Sequence, residues 1–323
     1  MAVPLRKRIK RAIRSLLLRG AIRLLSVLPL RPALAFGAFI GRLAWLVARG
    51  QRRLMLEHLA IAFPEKSEVE RSAIARESLV HLGQVVMELV TARNDPDRLR
   101  EYVSFAPGGE ELIRRAMARG KGLIFVAGHI GNWELLARRL ALITQPNAVI
   151  ARRNADERLN EMVARFRQEG GNRTLWRDDP ATAREIIRLF RQGGALGILI
   201  DQDTRVQGVF VPFFGRLAFT PRAVGDLALR FGAPVVVGTS HRRGSRPGDG
   251  HELQVVEVVY DDQAADKEAE GLRITAAATK LQEEAIRQHP IEWVWMHRRW
   301  KTRPPAEGSL ANTMPKSREL SGA

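Results

Sequence analysis

A chain of 323 residues, 45% of them hydrophobic, carries enough apolar mass for one large or two modest folded domains, which excludes a disordered or fibrous protein. It has no cysteine, so a disulfide framework, a thiolate metal site and a cysteine nucleophile are all excluded. Its net charge of +17 is concentrated at the N-terminus, where only bases, from Arg6 to Arg53, precede the first acid, Glu57. Such a head suits nucleic acid, an anionic membrane surface or an acidic protein partner.

Between those bases lie Leu16-Leu17-Leu18, Leu24-Leu25-Ser26-Val27-Leu28, the run from Ala33 to Ile40, and Leu43-Ala44-Trp45-Leu46-Val47. A spanning helix needs roughly 20 mostly apolar residues, and here Arg23, Arg31, Arg42, Pro29 and Pro32 interrupt the pattern. Residues 1–53 are therefore expected to form basic, apolar membrane-anchoring helices that lie in the interface of an anionic bilayer. A single tilted span with snorkelling arginines and a helical hairpin packed on the domain are the alternatives. No small-residue cleavage site marks a secretory signal. Nucleic acid is not expected as a partner, because the bases alternate with long apolar stretches and no recognition motif occurs.

Residues 54–303 read as the main domain, with helical support over 54–119 and an α/β core over 120–303. Ser67 followed by Glu70 has the spacing of a capping box, and Ile74, Leu79, Leu82, Val85, Val86 and Leu89 recur at helical intervals. Asn94-Asp95-Pro96 and Ala106-Pro107-Gly108-Gly109 punctuate the support, and Glu110 to Met117 predicts a short helix. Strand and helix then alternate: strands at 122–127, 148–150, 174–176, 195–200 and 234–238, with helices at 135–142, 156–168 and 181–191. A loop is expected through Phe214, a helix start near Thr220-Pro221, an edge-like strand at 251–259 and a long amphipathic helix at 265–288. This order implies an α/β fold with a mostly parallel central sheet flanked by helices, whose chemistry lies outside the carboxyl ends of the strands. His129, Arg152, Asp201 and Ser240 all fall at such ends. Residues 304–323, rich in Pro, Ser and Gly, read as a disordered tail.

The segment Gly128-His129-Ile130-Gly131-Asn132-Trp133-Glu134 links the first core strand to its helix. Asn132 suits an N-cap and Glu134 the first helical turn, so the glycine turn is expected to let His129 and Glu134 face each other. A histidine oriented by a carboxylate is the base half of a triad. No Gly-x-Ser-x-Gly motif supplies a nucleophile, so the hydroxyl to be activated is expected to belong to a substrate. Asp201 and Asp203 alone make a poor cage for a divalent cation, and no metal is expected.

These residues resemble the histidine-x4-acid signature of glycerolipid-type acyltransferases, in the glutamate version of the late acyltransferases of lipid A biosynthesis, the lauroyl/myristoyl type. The likeness extends through Leu59 to Glu65, Arg152-Arg153-Asn154, Asp201-Gln202-Asp203, Phe210 to Gly215 and Pro290 to Lys301. It departs from the usual pattern at Arg153, where relatives carry proline, and at His58, where many carry asparagine. The resemblance implies transfer of a fatty acyl group from an acyl carrier protein thioester to the hydroxyl of a hydroxyacyl chain on a Kdo-bearing lipid A precursor, with no cofactor. In that scheme His129 takes the acceptor's proton, Glu134 holds His129, and Arg152, Asn132 and Asp201 surround the oxyanion and substrate, with Arg152 the candidate oxyanion donor and backbone N–H groups near Gly131 and Asn132 its competitors; Arg152 is otherwise expected to pair with Asp201. Arg298, Arg299 and Lys301 would meet the lipid's phosphates or sugars, or else belong to a strand with a solvated basic end, and Phe210, Phe213 and Phe214 line an acyl groove or simply fill core. The place implied is the cytoplasmic face of the inner membrane. The same chemistry on mannosylated phosphatidylinositol or an aminolipid, from acyl-CoA, is the alternative.

Overall fold

The computed structural model describes residues 16–92, 95–244 and 246–304. The expectations for residues 1–15 and for the tail beyond 304 lie outside these.

The described residues begin with a helical stretch, 16–25, followed by α1 (Leu30–Val47), α2 (Arg49–Ala62) and α3 (Glu68–Thr91). Pro32 sits in the first turn of α1, where no intrahelical donor is lost. α1 lies directly against α3 where Gly37 and Gly41 meet Gly83 and the backbone around Leu79; with no Cβ on the glycines, the two backbones touch. Its opposite face exposes Phe36, Phe39, Ile40, Leu43, Leu46 and Val47. Among the described residues α1 is the one helix long and apolar enough to cross a membrane by length and composition. The capping box forms as expected: Ser67 Oγ accepts the Glu70 N–H at 3.3 Å, and Glu70 Oε2 accepts the Ser67 N–H at 2.8 Å.

Next come α4 (Pro96–Tyr102), β1 (Val103–Phe105), α5 (Gly109–Ala118), β2 (Leu123–Ala127), α6 (Trp133–Ala141), β3 (Asn147–Ala151), α7 (Glu157–Glu169), β4 (Arg173–Trp176), α8 (Thr182–Arg191) and β5 (Ala195–Leu199). The remainder is β6 (Gly208–Phe213), β7 (Arg216–Pro221), α9 (Ala223–Phe231), β8 (Val235–Arg242), β9 (His251–Val258), α10 (Lys267–Gln288) and a 3-10 turn at Pro290–Glu292. The seven-stranded sheet runs β1-β9-β8-β2-β5-β3-β4, and its five strands from β8 to β4 are mutually parallel. This is the expected α/β architecture. β2 and β5 at its centre are buried and apolar, as a parallel strand covered on both faces must be.

Three local expectations are corrected. The loop through Phe214 is an antiparallel hairpin, β6 with β7, turned by Phe214 and Gly215 at positive φ. Thr220 and Pro221 end β7, and the helix starts at Ala223. β9 is not an edge, because the three-residue β1 pairs outside it.

Candidate active site

β2 delivers its chain to the carboxyl edge of the sheet and breaks at Gly128-His129. Gly131 adopts φ +58, and a Cβ there would run into the backbone carbonyl of Ser240, so glycine alone fits this turn. Asn132 then caps α6, its Oδ1 accepting the Leu135 N–H at 3.1 Å. The segment after α10 closes over the loop: Gly131 N–H donates to the Glu292 carbonyl (2.8 Å) and Val294 N–H to the His129 carbonyl (3.2 Å).

β5 lies beside β2 and ends two residues before Asp201, which brings that carboxylate under the histidine. Asp201 Oδ1 is 2.9 Å from His129 Nδ1, while Oδ2 accepts the His129 backbone N–H (2.7 Å) and the Trp293 indole N–H (2.9 Å). Asp201 is buried, which alone would raise its carboxyl pKa; attraction to His129 and these hydrogen bonds outweigh burial and hold it well below the usual range. An ionised carboxylate only accepts, so the proton belongs on Nδ1 of His129 and the lone pair on Nε2.

The two following residues extend the arrangement. The Gln202 amide nitrogen lies 3.1 Å from His129 Nε2 and 2.9 Å from the ring nitrogens of His297, so it stands between the two imidazoles. Burial pulls His297 down to about 4, with the nearby His129 adding to the effect. Asp203 accepts the Thr302 N–H (2.6 Å) and hydroxyl (3.0 Å). Asp201-Gln202-Asp203 thus holds, in order, His129, His297 and the end of the basic segment.

Several predicted site residues stand elsewhere. Glu134 does not meet His129: its carboxylate takes a two-pronged contact from Arg167, with Nη2 at 2.5 Å and Nε at 3.0 Å, because the first turn of α6 faces α7 and not the strand end. Asp201 pairs with His129, so the alternative partnership with Arg152 does not form, and Arg152 is exposed after β3. Asn132 is fully buried, its Oδ1 on the helix cap and its Nδ2 donating to Glu88 (2.8 Å), so its side chain is committed to the interior beneath the loop. The Gly131 N–H is likewise taken. Arg299 is buried against the hairpin, donating to the Phe219 carbonyl and Thr220 Oγ1, both at 2.6 Å, and cannot meet a headgroup. Arg298 and Lys301 are exposed, and the 293–301 stretch is not a strand. Phe213 and Phe214 are core, packed with Trp293, Trp295 and Trp300.

Beneath the loop lies a polar core that sequence reasoning did not find. Buried Glu88 accepts from Asn132, from Arg242 Nη1 (2.6 Å) and from Tyr102 (2.9 Å), with His251 Nε2 at 3.0 Å. Burial alone would raise its carboxyl, but His251 and Arg242 hold it well below the ordinary range. Glu292, with fewer partners, is pushed up to about 7 by burial. Nothing in the sequence signals Glu88, Arg167 or His297 as site residues beyond the presence of His297 in the Trp-rich motif. Among the described residues, two groups bring possible metal ligands within 4.8 Å of one another: His129, Asp201 and His297, and His241, His289 and Glu292. Asp203 joins neither, being spent on Thr302.

The family model described as bacterial lipid A biosynthesis acyltransferase matches residues 5–302. The chain is 27% identical over 283 residues to the lipid A biosynthesis palmitoleoyltransferase of Escherichia coli K12, covering 86% of this chain and 88% of that protein. It is 27% identical over 289 residues to the lipid A biosynthesis lauroyltransferase of the same organism, covering 88% and 90%. A more distant relative is the phosphatidylinositol mannoside acyltransferase of Mycobacterium tuberculosis, 24% identical over 200 residues, covering 60% and 59%.

Proposed function

The chain belongs to the bacterial lipid A biosynthesis acyltransferase family, and from that premise we propose that it moves a fatty acyl group from an acyl carrier protein thioester to the hydroxyl of a hydroxyacyl chain on a Kdo-bearing lipid A precursor. The observation that carries the mechanism is the His129–Asp201 pair at the carboxyl edge of the sheet. With Nδ1–H donated to Asp201, Nε2 of His129 takes the proton of the acceptor hydroxyl. The alkoxide attacks the thioester carbonyl, the tetrahedral intermediate collapses, the C–S bond breaks, and the departing thiolate recovers the proton from His129. Gln202 must yield its place at Nε2 as the hydroxyl arrives. Asp201 thus takes the orienting role that the histidine-x4-glutamate spacing assigns to Glu134. Glu134 contributes by fixing Arg167 at the neighbouring wall.

Arg152 is the oxyanion donor in this reading. It follows the end of β3, on the same carboxyl edge of the sheet as His129 and two strands from β2. Beside Glu134 opens a cleft of about 520 Å³ whose lining combines the apolar Ile22, Leu89, Val90, Met162, Val163 and Phe166 with charged residues of α7, and it receives the acyl chain. The exposed apolar face of α1, flanked by Arg31, Arg42 and Arg49, rests on the cytoplasmic face of the inner membrane where the acceptor lies. The excess of bases favours an acidic carrier protein and a phosphorylated lipid alike.

The test is incubation of the purified protein with acyl carrier protein thioesters of several lengths, or with acyl-CoA, and a tetra-acylated Kdo-bearing acceptor, followed by product mass spectrometry. Product whose formation depends on His129 supports the proposal. Transfer only to a mannosylated phosphatidylinositol or an aminolipid would replace the acceptor, and transfer that survives His129→Ala would refute the mechanism.

A further inference from the structure

Two hydrogen bonds grip the turn after His129 at consecutive residues. The Gly131 N–H donates to the Glu292 carbonyl at 2.8 Å, and Asn132 Nδ2 donates to Glu88 Oε2 at 2.8 Å. Both grips lead to Arg242. Its backbone N–H donates to the Glu292 carboxylate at 3.1 Å, and its Nη1 donates to Glu88 Oε1 at 2.6 Å. Gly131, Asn132, Glu88, Arg242 and Glu292 therefore close a ring of contacts beneath the turn. Its members come from α3, from the end of β8 and from the segment after α10, and the nearest of these to Asn132 in sequence, Glu88, is 44 residues away.

Glu88 is the hub of the ring. Its side chain is buried, and its oxygens meet four donors: Arg242 Nη1 and the Tyr102 hydroxyl (2.9 Å) on Oε1, Asn132 Nδ2 and His251 Nε2 (3.0 Å) on Oε2. A carboxylate offers about four lone-pair sites, so this one is saturated. Burying an ion pair is a poor source of stability compared with apolar packing of the same volume. What a saturated buried carboxylate supplies is direction, because each donor around it is fixed by the others. Asn132 is fixed twice, since its Oδ1 also caps α6 and the side chain cannot turn without uncapping the helix. Gly131 rests against the backbone carbonyl of Ser240, on the same strand as Arg242. The helix that carries Glu88 also holds the closing segment, because Ser78 Oγ donates to the Ile291 carbonyl at 2.9 Å.

We infer that Glu88 is a positioning residue of the acyl-transfer site: directly through Asn132, and through Arg242 and Glu292 to Gly131, it fixes the turn that presents His129 Nε2 to the acceptor hydroxyl. The inference rests on the proposed role of His129 as the base. Asp201 decides which ring nitrogen carries the proton, and Glu88 fixes the backbone that follows the ring. A displacement of about 1 Å at a reacting group costs on the order of a hundredfold in rate, so the tether acts on kcat.

The experiment compares full-length wild type, Glu88→Gln, Asn132→Ser and Leu189→Ala in detergent, at a temperature at which circular dichroism shows each of them folded. Glu88→Gln keeps the shape, but its amide nitrogen meets donors where Glu88 offers only acceptors. Asn132→Ser keeps a capping oxygen for α6 and removes the donor to Glu88. Leu189→Ala weakens the core beside Gly194, just before β5 and away from the ring, and reports what lost stability alone does. Glu88→Gln and Asn132→Ser are each expected to lower kcat by about 10–100-fold, with KM for either substrate within about threefold, whereas Leu189→Ala keeps kcat near that of wild type. Amide hydrogen exchange, measured without substrate, should show the protection of the Gly131 N–H falling by about tenfold or more in the first two variants and not in Leu189→Ala. If Glu88→Gln does not fold, Asn132→Ser decides. Turnover in the tether variants equal to that of Leu189→Ala, or an unchanged protection of the Gly131 N–H, overturns the inference. Absence of product with wild type would count against the acyl-transfer reading, and the exchange result would then decide the tether by itself.

Discussion

His129 Nδ1 lies 2.9 Å from Asp201 Oδ1, across 72 residues of sequence, while Glu134, five residues from His129, is committed to Arg167. The neighbour in space, and not the neighbour in sequence, therefore sets the tautomer of His129. Asp201→Asn is expected to lower kcat by roughly 10²–10⁴, the range of oriented general-base catalysis, with KM little changed. Glu134→Gln also lowers activity, through release of Arg167. The two are separated by imidazole NMR: the hydrogen-bonded Nδ1 proton of His129 should persist in Glu134→Gln and vanish or shift strongly in Asp201→Asn. The opposite pattern would return the orienting role to Glu134.

The Glu134–Arg167 pair joins α6 to α7 with side chains that are 13% and 18% exposed. Removing one partner strands a largely desolvated charge, so Arg167→Ala or Glu134→Ala should each cost about 1–3 kcal/mol, less than a fully buried pair because some water reaches the site. Replacing both with neutral residues of similar size, Glu134→Gln with Arg167→Met, should restore most of that stability but not the activity. Urea unfolding of the three variants measures the coupling. Additive losses would mean the pair contributes nothing beyond its members.

The sequence made the sheet and its carboxyl-edge residues legible because buried parallel strands are continuous apolar runs, as in Leu123 to Ala127 and Ala195 to Leu199. Strand order was not legible. β5 inserts between β2 and β3, and only that insertion puts Asp201 under His129. The 208–221 hairpin was hidden by Pro212 and by a turn whose first φ-positive residue, ahead of Gly215, is Phe214, a type that does not announce a turn. Arg299 read as a contact to the lipid's phosphates or sugars, or as a solvated base in a basic run. Its burial depends on carbonyls supplied by β7, which no local pattern encodes.

Gly37 and Gly83 each occupy the place where the other's Cβ would stand, each facing the partner's backbone carbonyl. Gly83→Ala should push α1 away from α3 and cost about 1–3 kcal/mol by overpacking, despite the gain in helix propensity. If α1 is the membrane-facing element, the displaced helix should also weaken vesicle binding. Circular dichroism melting and flotation with anionic vesicles report the two effects. An unchanged or raised melting temperature would show that the helices separate freely and that the close contact is not needed.

Acid and base should act on stability through opposite groups. Burial lowers His297 to about 4 and His81 and His241 to about 3, against an ordinary value of 6.5. Their folded forms bind fewer protons than the unfolded chain, so the stability they allow is whole above pH 6.5 and falls as pH drops from there toward 3. Glu292 runs the other way. Its carboxyl is raised from 4.5 to about 7, so its contribution is whole below pH 4.5 and is lost as pH rises to 7. Between pH 4.5 and 6.5 the two trends oppose each other, and below 4.5 only the histidine loss remains, joined by protonation of Asp201 and Glu88, whose lowered values act in the same direction. Because three histidines outweigh one carboxyl, urea unfolding across pH should show stability falling as pH drops below 6.5 and falling more steeply below 4.5. Glu292→Gln keeps an acceptor for the Arg242 N–H but removes the titration. Relative to wild type its stability should rise by roughly 1–3 kcal/mol between pH 4.5 and 8. A difference independent of pH would show that Glu292 ionises at the same pH in the folded and unfolded chain.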